Sequence, residues 1–269
     1  MSTDPRFAEP TPFARLVYAH AVSMAGDACL TVSLAGSLFF QSPTSAAREK
    51  VLLYLLLTMA PFAIVAPILG PAIDRTNGGR RLLVVASSAG RAVLCIFMAM
   101  YVSKPAPEGL LVYPLAFGAL VLAKGHQVAK SSLVPALVKS DAELVNANSR
   151  LALVSVIAAT VGGLPAAGIQ ALFGADWSLR VAAIVFAIGA VLALQIPRTR
   201  TAGPSDPHLA ELEQEEIHQP SILLAGSAMA VLRGSVGFLA FFVAFALKDD
   251  LFGLGAALVA SAIGGFIGV

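Results

Sequence analysis

Long apolar stretches alternate with short polar breaks along the whole chain. A helix that crosses the hydrocarbon of a bilayer needs about 20 mainly apolar residues. Windows of that kind lie at roughly 15–40, 51–72, 82–102, 110–134, 151–173, 178–197, 221–247 and 251–269. The breaks between them are made of turn formers: Gln41-Ser42-Pro43-Thr44-Ser45, then Asp74-Arg75-Thr76-Asn77-Gly78-Gly79-Arg80-Arg81, then Lys104-Pro105-Ala106-Pro107-Glu108. The pattern predicts an all-α, polytopic membrane protein with eight spans. One break is long and acidic, running through Asp206-Pro207-His208-Leu209-Ala210-Glu211-Leu212-Glu213-Gln214-Glu215-Glu216-Ile217-His218. It divides the chain into six spans over 1–197, a linker over 198–220 and two spans over 221–269.

Composition agrees with this pattern. The 269 residues are 57% hydrophobic and 13% charged, against about 45–50% and about 25% in soluble domains. A water-facing surface needs charge, whereas lipid needs an apolar exterior. The net charge of +2 is small and the basic residues are scattered, so no nucleic-acid partner is expected. Membrane lipid is the expected surrounding. Cys29 and Cys95 lie in apolar stretches without a CxxC spacing, which gives neither a disulfide framework nor a zinc site. His208 and His218 match no metal-ligand spacing, so no metal is expected. The polar, proline-rich segment from Met1 to Pro12 lacks a basic cluster, and the apolar run after Arg15 exceeds a signal h-region. That run reads as the first span.

Basic residues near span ends translocate poorly. With the N-terminus in the cytoplasm, Arg6, Arg15, Arg75, Arg80, Arg81, Lys139, Arg150, Arg198 and Arg200 lie inside. Arg48, Lys50, Lys104, Arg180 and Lys248 then lie outside. The bias predicts a multi-pass protein of the cell membrane with a cytoplasmic N-terminus.

The break between the second and third spans reads Gly70-Pro71-Ala72-Ile73-Asp74-Arg75-Thr76-Asn77-Gly78-Gly79-Arg80-Arg81. It resembles the signature loop of the major facilitator superfamily, a glycine before Asp-Arg followed by glycine and paired basic residues. Four residues separate Asp-Arg from the basic pair here, where the family pattern has about two. Ser23-Met24-Ala25-Gly26-Asp27 in the first span and Ala147-Asn148-Ser149 before the fifth look like segments of the family's exporter-like branch, related to siderophore and drug efflux proteins. Gly162-Gly163-Leu164-Pro165-Ala166-Ala167-Gly168 is similar to the glycine-proline motif of proton-coupled antiporters, and tight helix packing accounts for the same residues. The resemblance implies a six-helix half plus the first two helices of a second half, with the substrate site between halves. It also implies a gating loop built from Gly70, Asp74, Arg75, Gly79, Arg80 and Arg81. The sequence ends at Gly264-Gly265-Phe266-Ile267-Gly268-Val269 without a polar flank, which reads as a chain or gene cut short within the eighth span and lacking the rest of its C-terminal half.

Charges inside the apolar windows are the candidate site. An ionisable residue at mid-helix costs about 2.5–3.5 kcal/mol on insertion scales and marks a functional site by default. Asp27, Arg91, Lys124, His126 and Arg233 are such residues. Counting at about 1.5 Å per residue places Asp27, Arg91 and Arg233 near one depth, with Lys124 and His126 nearer the cytoplasmic surface. Asp27 therefore has two depth-matched partners. In the family architecture, pairing with Arg233 bridges the halves, and pairing with Arg91 stays within one. Lys124 also reads as a snorkelling anchor, and His126 as a packed neutral histidine or a proton relay.

The expected function is secondary transport, export of a small organic molecule by alternating access, driven by an ion gradient carried by protons. No Walker-type Gly-x-x-x-x-Gly-Lys-Ser/Thr occurs, and no cofactor is expected. Two rival classes are a truncated, non-transporting membrane protein and an intramembrane enzyme using Ser235 of Gly234-Ser235-Val236-Gly237 with His126 as its base.

Overall fold

The computed structural model of the chain describes residues 10–35, 37, 79–105, 108–138, 140–197 and 219–246. Six helices of ten or more residues occur among them: α1 (Pro12–Leu34), α2 (Gly79–Tyr101), α3 (Val112–Leu137), α4 (Asp141–Phe173), α5 (Ala175–Ala193) and α6 (Pro220–Ala246). A short 3-10 turn, Glu108–Leu111, leads into α3. No strand occurs among the described residues. The spans expected at 51–72 and 251–269 lie outside the described residues, as does nearly all of the linker over 198–220.

Local chemistry sets the helix ends. Thr11 caps α1, its hydroxyl accepting from the Ala14 amide at 3.2 Å, and Pro12 opens the first turn where its missing N–H is harmless. Ser140 caps α4 by accepting from the Glu143 amide at 3.3 Å. The Ser140-Asp141-Ala142-Glu143 order is that of a capping box. This corrects the span expected at 151–173. The polar segment before Leu151 is the first turns of the same 33-residue helix, not a break. At 1.5 Å per residue α4 is about 50 Å long, well beyond a hydrocarbon core of about 30 Å. Gly174 ends it with φ of 94°, a left-handed geometry that suits glycine, and α5 begins one residue later.

Four of the described helices are long and apolar enough to cross a membrane: α2, α3 with its leading turn, α4 and α5. The chain is an all-helical, membrane-embedded protein. α1 is as long as α2, 23 residues, but falls outside that set. His20, Ser23, Asp27 and Ser33 on its inner side lower its hydropathy. α1 packs along α4 and α5, and α2 along α3 and α5, so that α5 lies against both.

The interior mixes small side chains, among them Ala28, Ala119, Ala129, Ala182, Ala193, Ser33 and Ser178, with larger ones such as Leu16, Leu133, Leu179 and Phe186. Large ones form exposed stripes at helical spacing: Val93, Ile96, Phe97 and Met100 on α2, and Leu153, Val156, Ile157, Val161 and Leu164 on α4. Lipid tails are as apolar as leucine, so burying leucine between helices gains little, and close backbone approach through small residues gains more. Gly162 shows the closest approach. A Cβ there would sit 2.6 Å from the Ala25 carbonyl oxygen of α1, and the Cys29 thiol donates to the Gly162 carbonyl at 3.4 Å. Gly163 is buried, whereas Pro165 and Gly168 are exposed, and a Cβ on Gly168 meets nothing within 4 Å. Of the four residues read as helix-packing, the described helices pack on the first pair and not on Pro165 or Gly168. Six residues of α-helix turn the chain by about 600°, which carries Gly168 about 120° away from the face of Gly162.

Gly162→Val should therefore lower the stability of the purified chain in detergent by about 1–3 kcal/mol, the usual cost of overpacking. Gly168→Ala should leave it equal or raise it by up to about 1 kcal/mol through helix propensity. Thermal unfolding followed by circular dichroism separates the two outcomes.

Candidate functional site

The interior has three tiers. One apolar cluster gathers Cys29, Leu30, Cys95, Met98, Val112, Ala116, Leu179 and Phe186 at one end of the bundle. A second gathers Leu16, Ala19, Val84, Leu133, Val134, Leu151 and Ile196 at the other. Between them, about midway along the helices, lie the buried polar residues His20, Ser23, Ser87, Ser88, Arg91, His126 and Ser155, with Asp27 beside them.

Arg91 is the centre of this tier. It is fully buried, and each of its nitrogens is directed at an acceptor. Nη1 donates to Asp27 Oδ1 at 2.6 Å, Nη2 to Ser23 Oγ at 2.8 Å and Nε to the Ser87 carbonyl at 3.1 Å. The face of the guanidinium lies 4.4 Å from the centroid of the Phe186 ring. That ring sits directly over Gly26, where a Cβ would come within 2.7 Å of it. Three residues of Ser23-Met24-Ala25-Gly26-Asp27 thus serve one side chain. Ser23 accepts from it, Asp27 neutralises it and Gly26 leaves room for the aromatic ring stacked on it. Of the two depth-matched partners of Asp27, the structure brings Arg91 to it. Arg233 lies on α6, and its side chain is outside the described residues.

The polar tier continues towards the second apolar cluster. His126 is buried on α3 with Nδ1 3.4 Å from Ser87 Oγ, and its ring stacks on that of His20 with centroids 6.3 Å apart. His20 Nε2 lies 2.8 Å from Ser155 Oγ on α4. Lys124, half-buried on α3, is within electrostatic reach of Asp27. His20 escaped the sequence reading. His20, Ser23 and Asp27 are spaced by three and four, as Ser87 and Arg91 are by four, so each set lies on one helix face. That spacing is the signal that could have found it. Ser235 is exposed on α6 and donates to the Val231 carbonyl of its own helix at 3.0 Å. His126 faces Ser87 and His20.

The two ends of the bundle carry different chemistry. Gly70, Asp74 and Arg75 of the expected gating loop lie outside the described residues. Gly79 opens α2 and is buried. Arg80 donates to the Ser132 carbonyl near the end of α3 at 3.3 Å, and Arg81 to the Leu194 carbonyl just after α5. Arg15 donates to the neighbouring Gln195 carbonyl at 3.2 Å. Cationic side chains on the unpaired carbonyls of helix C-termini are favoured both by hydrogen bonding and by the helix dipole. At the opposite end Trp177 and Tyr101 stand beside exposed ion pairs, Asp176 with Arg180 at 3.5 Å and Lys104 with Glu108 at 2.9 Å. The hydrogen bond and the charge of Glu108 hold the Lys104 ammonium above the ordinary lysine range. No group of three or more metal-ligating side chains occurs among the described residues.

No family model matches the chain, and no solved structure matches it. It is similar to an uncharacterized protein of Mycobacterium leprae (strain TN), 31% identical over 296 aligned positions that cover 97% of this chain and 51% of that protein. An uncharacterized protein of Mycobacterium tuberculosis (strain H37Rv) is 32% identical over 198 positions, 71% of this chain and 35% of that protein. The chain therefore spans about half the length, or less, of the curated relatives it matches.

Arg91→Met should strand a carboxylate inside the bundle and destabilise it by about 3–5 kcal/mol, the cost of removing one partner of a buried pair. The double variant Asp27→Leu with Arg91→Met should recover most of that loss, because no uncompensated charge remains. A double-mutant cycle of unfolding free energies in detergent measures both; equal losses in the single and double variants would show that the pair is not what stabilises the tier.

Proposed function

We propose that the chain is the membrane part of a secondary transporter that exports small organic molecules by alternating access, with protons as the coupling ion. The observation that carries this reading is the Asp27–Arg91 pair, held at mid-depth between two apolar seals with the aspartate side chain still 22% exposed. A scaffold has no need of a charge pair at that depth, since a well-packed apolar pair is as stable or more so. A transporter does, because ionisable residues inside the membrane form ion and substrate pathways. The resemblance of Gly70 to Arg81 and of Ser23 to Asp27 to the major facilitator superfamily points the same way. In this reading the N-terminus lies in the cytoplasm and the protein in the cell membrane. Arg80 and Arg81, on the carbonyls of α3 and of the turn after α5, form the inner rim, with Gly70, Asp74 and Arg75 as the rest of the gate. Asp27 faces the solute path with Arg91 buried behind it, and Lys124 adds positive charge near it.

Proteoliposomes bearing the chain, with an imposed pH gradient and a panel of small organic solutes that includes ethidium, test the reading. The expected result is movement of at least one solute that collapses with a protonophore. In Asp27→Asn it should fall to the rate of empty liposomes at every pH. Absence of gradient-dependent movement for the whole panel would overturn the reading in favour of a non-transporting membrane protein. Wild-type flux in Asp27→Asn across pH would remove Asp27 from the coupling step.

A further inference from the structure

His20 has one ring nitrogen that the polar tier satisfies and one that it does not. Nε2 lies 2.8 Å from Ser155 Oγ, and the single hydroxyl proton of Ser155 is already given to the Leu151 carbonyl at 2.8 Å. The arrangement that satisfies both contacts has Ser155 Oγ accepting and His20 donating through Nε2–H. That tautomer puts the lone pair on Nδ1. Nδ1 is buried with no hydrogen-bond partner among the described residues, in a side chain with no exposed surface. The same logic fixes its neighbour. Ser87 gives its hydroxyl proton to the Val84 carbonyl at 3.0 Å, so His126 donates to Ser87 through Nδ1–H, and the lone pair of His126 is on Nε2.

We propose that His20 Nδ1 is the proton-accepting site of the polar tier, and that it binds its proton only when α1 parts from α3. The inference deepens the transport reading and rests on it for the use to which the proton is put. The charges facing His20 are Arg91 of α2 and Lys130 of α3, with His126 of α3 stacked on the ring. Asp27 of α1, the one acid of the tier, is bonded to Arg91 and also within reach of Lys124. On α4 Glu143 and Arg150 are exposed, and on α5 Asp176 and Arg180 pair with each other. An imidazolium in the closed bundle would lie among cations, stacked on a second histidine, with its Nδ1–H unbonded. The closed packing thus holds a neutral ring, and the proton has no route to a nitrogen without solvent exposure. When α1 and α3 separate, a proton from water adds to the Nδ1 lone pair, the Nε2–H bond to Ser155 is kept, and a positive charge is left that opposes reclosure. A ligand that binds one of two states shifts the equilibrium towards it, and here that ligand is the proton. The stacked geometry admits one charge, so His20 and His126 take up a single additional proton between them.

Two measurements on the whole chain in nanodiscs test this without any solute. Solid-state NMR of the nitrogen-15-labelled protein should show, at alkaline pH, an unprotonated Nδ1 and a protonated Nε2 for His20, assigned by their loss in His20→Gln. Spin labels at Tyr18→Cys on α1 and Val128→Cys on α3, both exposed positions, should report a distance that lengthens on acidification. His20→Gln keeps a donor for Ser155 but has no basic nitrogen, and should lose that response while retaining the alkaline distance. Gradient-driven solute flux failing while these signals persist would overturn only the transport reading. A His20 ring protonated at Nδ1 at alkaline pH, or a pH response undiminished in His20→Gln, would overturn this proposal.

Discussion

A guanidinium with no exposed surface, placed halfway along helices that run through lipid, constrains everything around it. An unpaired charge there would be strongly destabilising. Its donors are met by groups from two helices: the Asp27 carboxylate and Ser23 hydroxyl of α1, and the Ser87 carbonyl one turn back on its own helix. The face is covered by Phe186 of α5. Satisfying this one group fixes the rotation and height of α1 against α2, and the seat of Phe186 on Gly26 fixes α5 against α1. The neighbouring glycine and alanine contacts follow from that placement.

The helices that pack closely are α1 with α4 and α5 and α2 with α3 and α5, whereas the long Arg91 side chain reaches across to α1, to Asp27 at 2.6 Å and to Ser23 at 2.8 Å. Alanine, serine and glycine permit the close packing, beside larger buried residues such as Leu133, Leu179 and Phe186. Ser33 with Ser178 at 2.7 Å joins α1 to α5 in the same manner nearer the end of α1.

How much of this was legible in the sequence follows from what hydropathy measures. A window of apolar residues reports length and lipid exposure, so the windows that became the helices α2, α3, α5 and α6 were readable to within a few residues, and α2, α3 and α5 among them are long and apolar enough to cross a membrane. The early start of α4 was hidden because its first turns are polar, and only the Ser140–Glu143 capping signal marks them. Depth along a helix was readable by counting, and it correctly grouped Asp27 with Arg91, but it fixes one coordinate only. Rotation about the helix axis decides which depth-matched cation meets the acid, and a single sequence carries that only through faces. The face formed by His20, Ser23 and Asp27 was present in the spacing, and its neglect left His20 out of the site. Gly162 and Gly168 belong to one motif and differ in role for the same rotational reason.

Alternating access requires one end of a bundle to part while the other holds, and the two ends described here are not held alike. At one end Arg15, Arg80 and Arg81 each donate to a backbone carbonyl near the end of another helix, at Gln195, Ser132 and Leu194. Those bonds are charge-assisted and tie α1 and α2 to the ends of α3 and α5. At the other end the ion pairs are within one helix or one turn, Asp176 with Arg180 and Lys104 with Glu108, all partly or well exposed. Exposed pairs of that kind are screened by water and contribute little. Separation at the end of Tyr101 and Trp177 breaks the Ser33–Ser178 bond and the apolar packing of Leu30, Met98, Leu179 and Phe186, while separation at the arginine end breaks three cross-helix bonds to carbonyls made by partly exposed guanidinium groups. In the proposed transporter the two ends of the described bundle are therefore held by different means, charge-assisted bonds to helix-end carbonyls at one and a buried hydroxyl pair with apolar packing at the other.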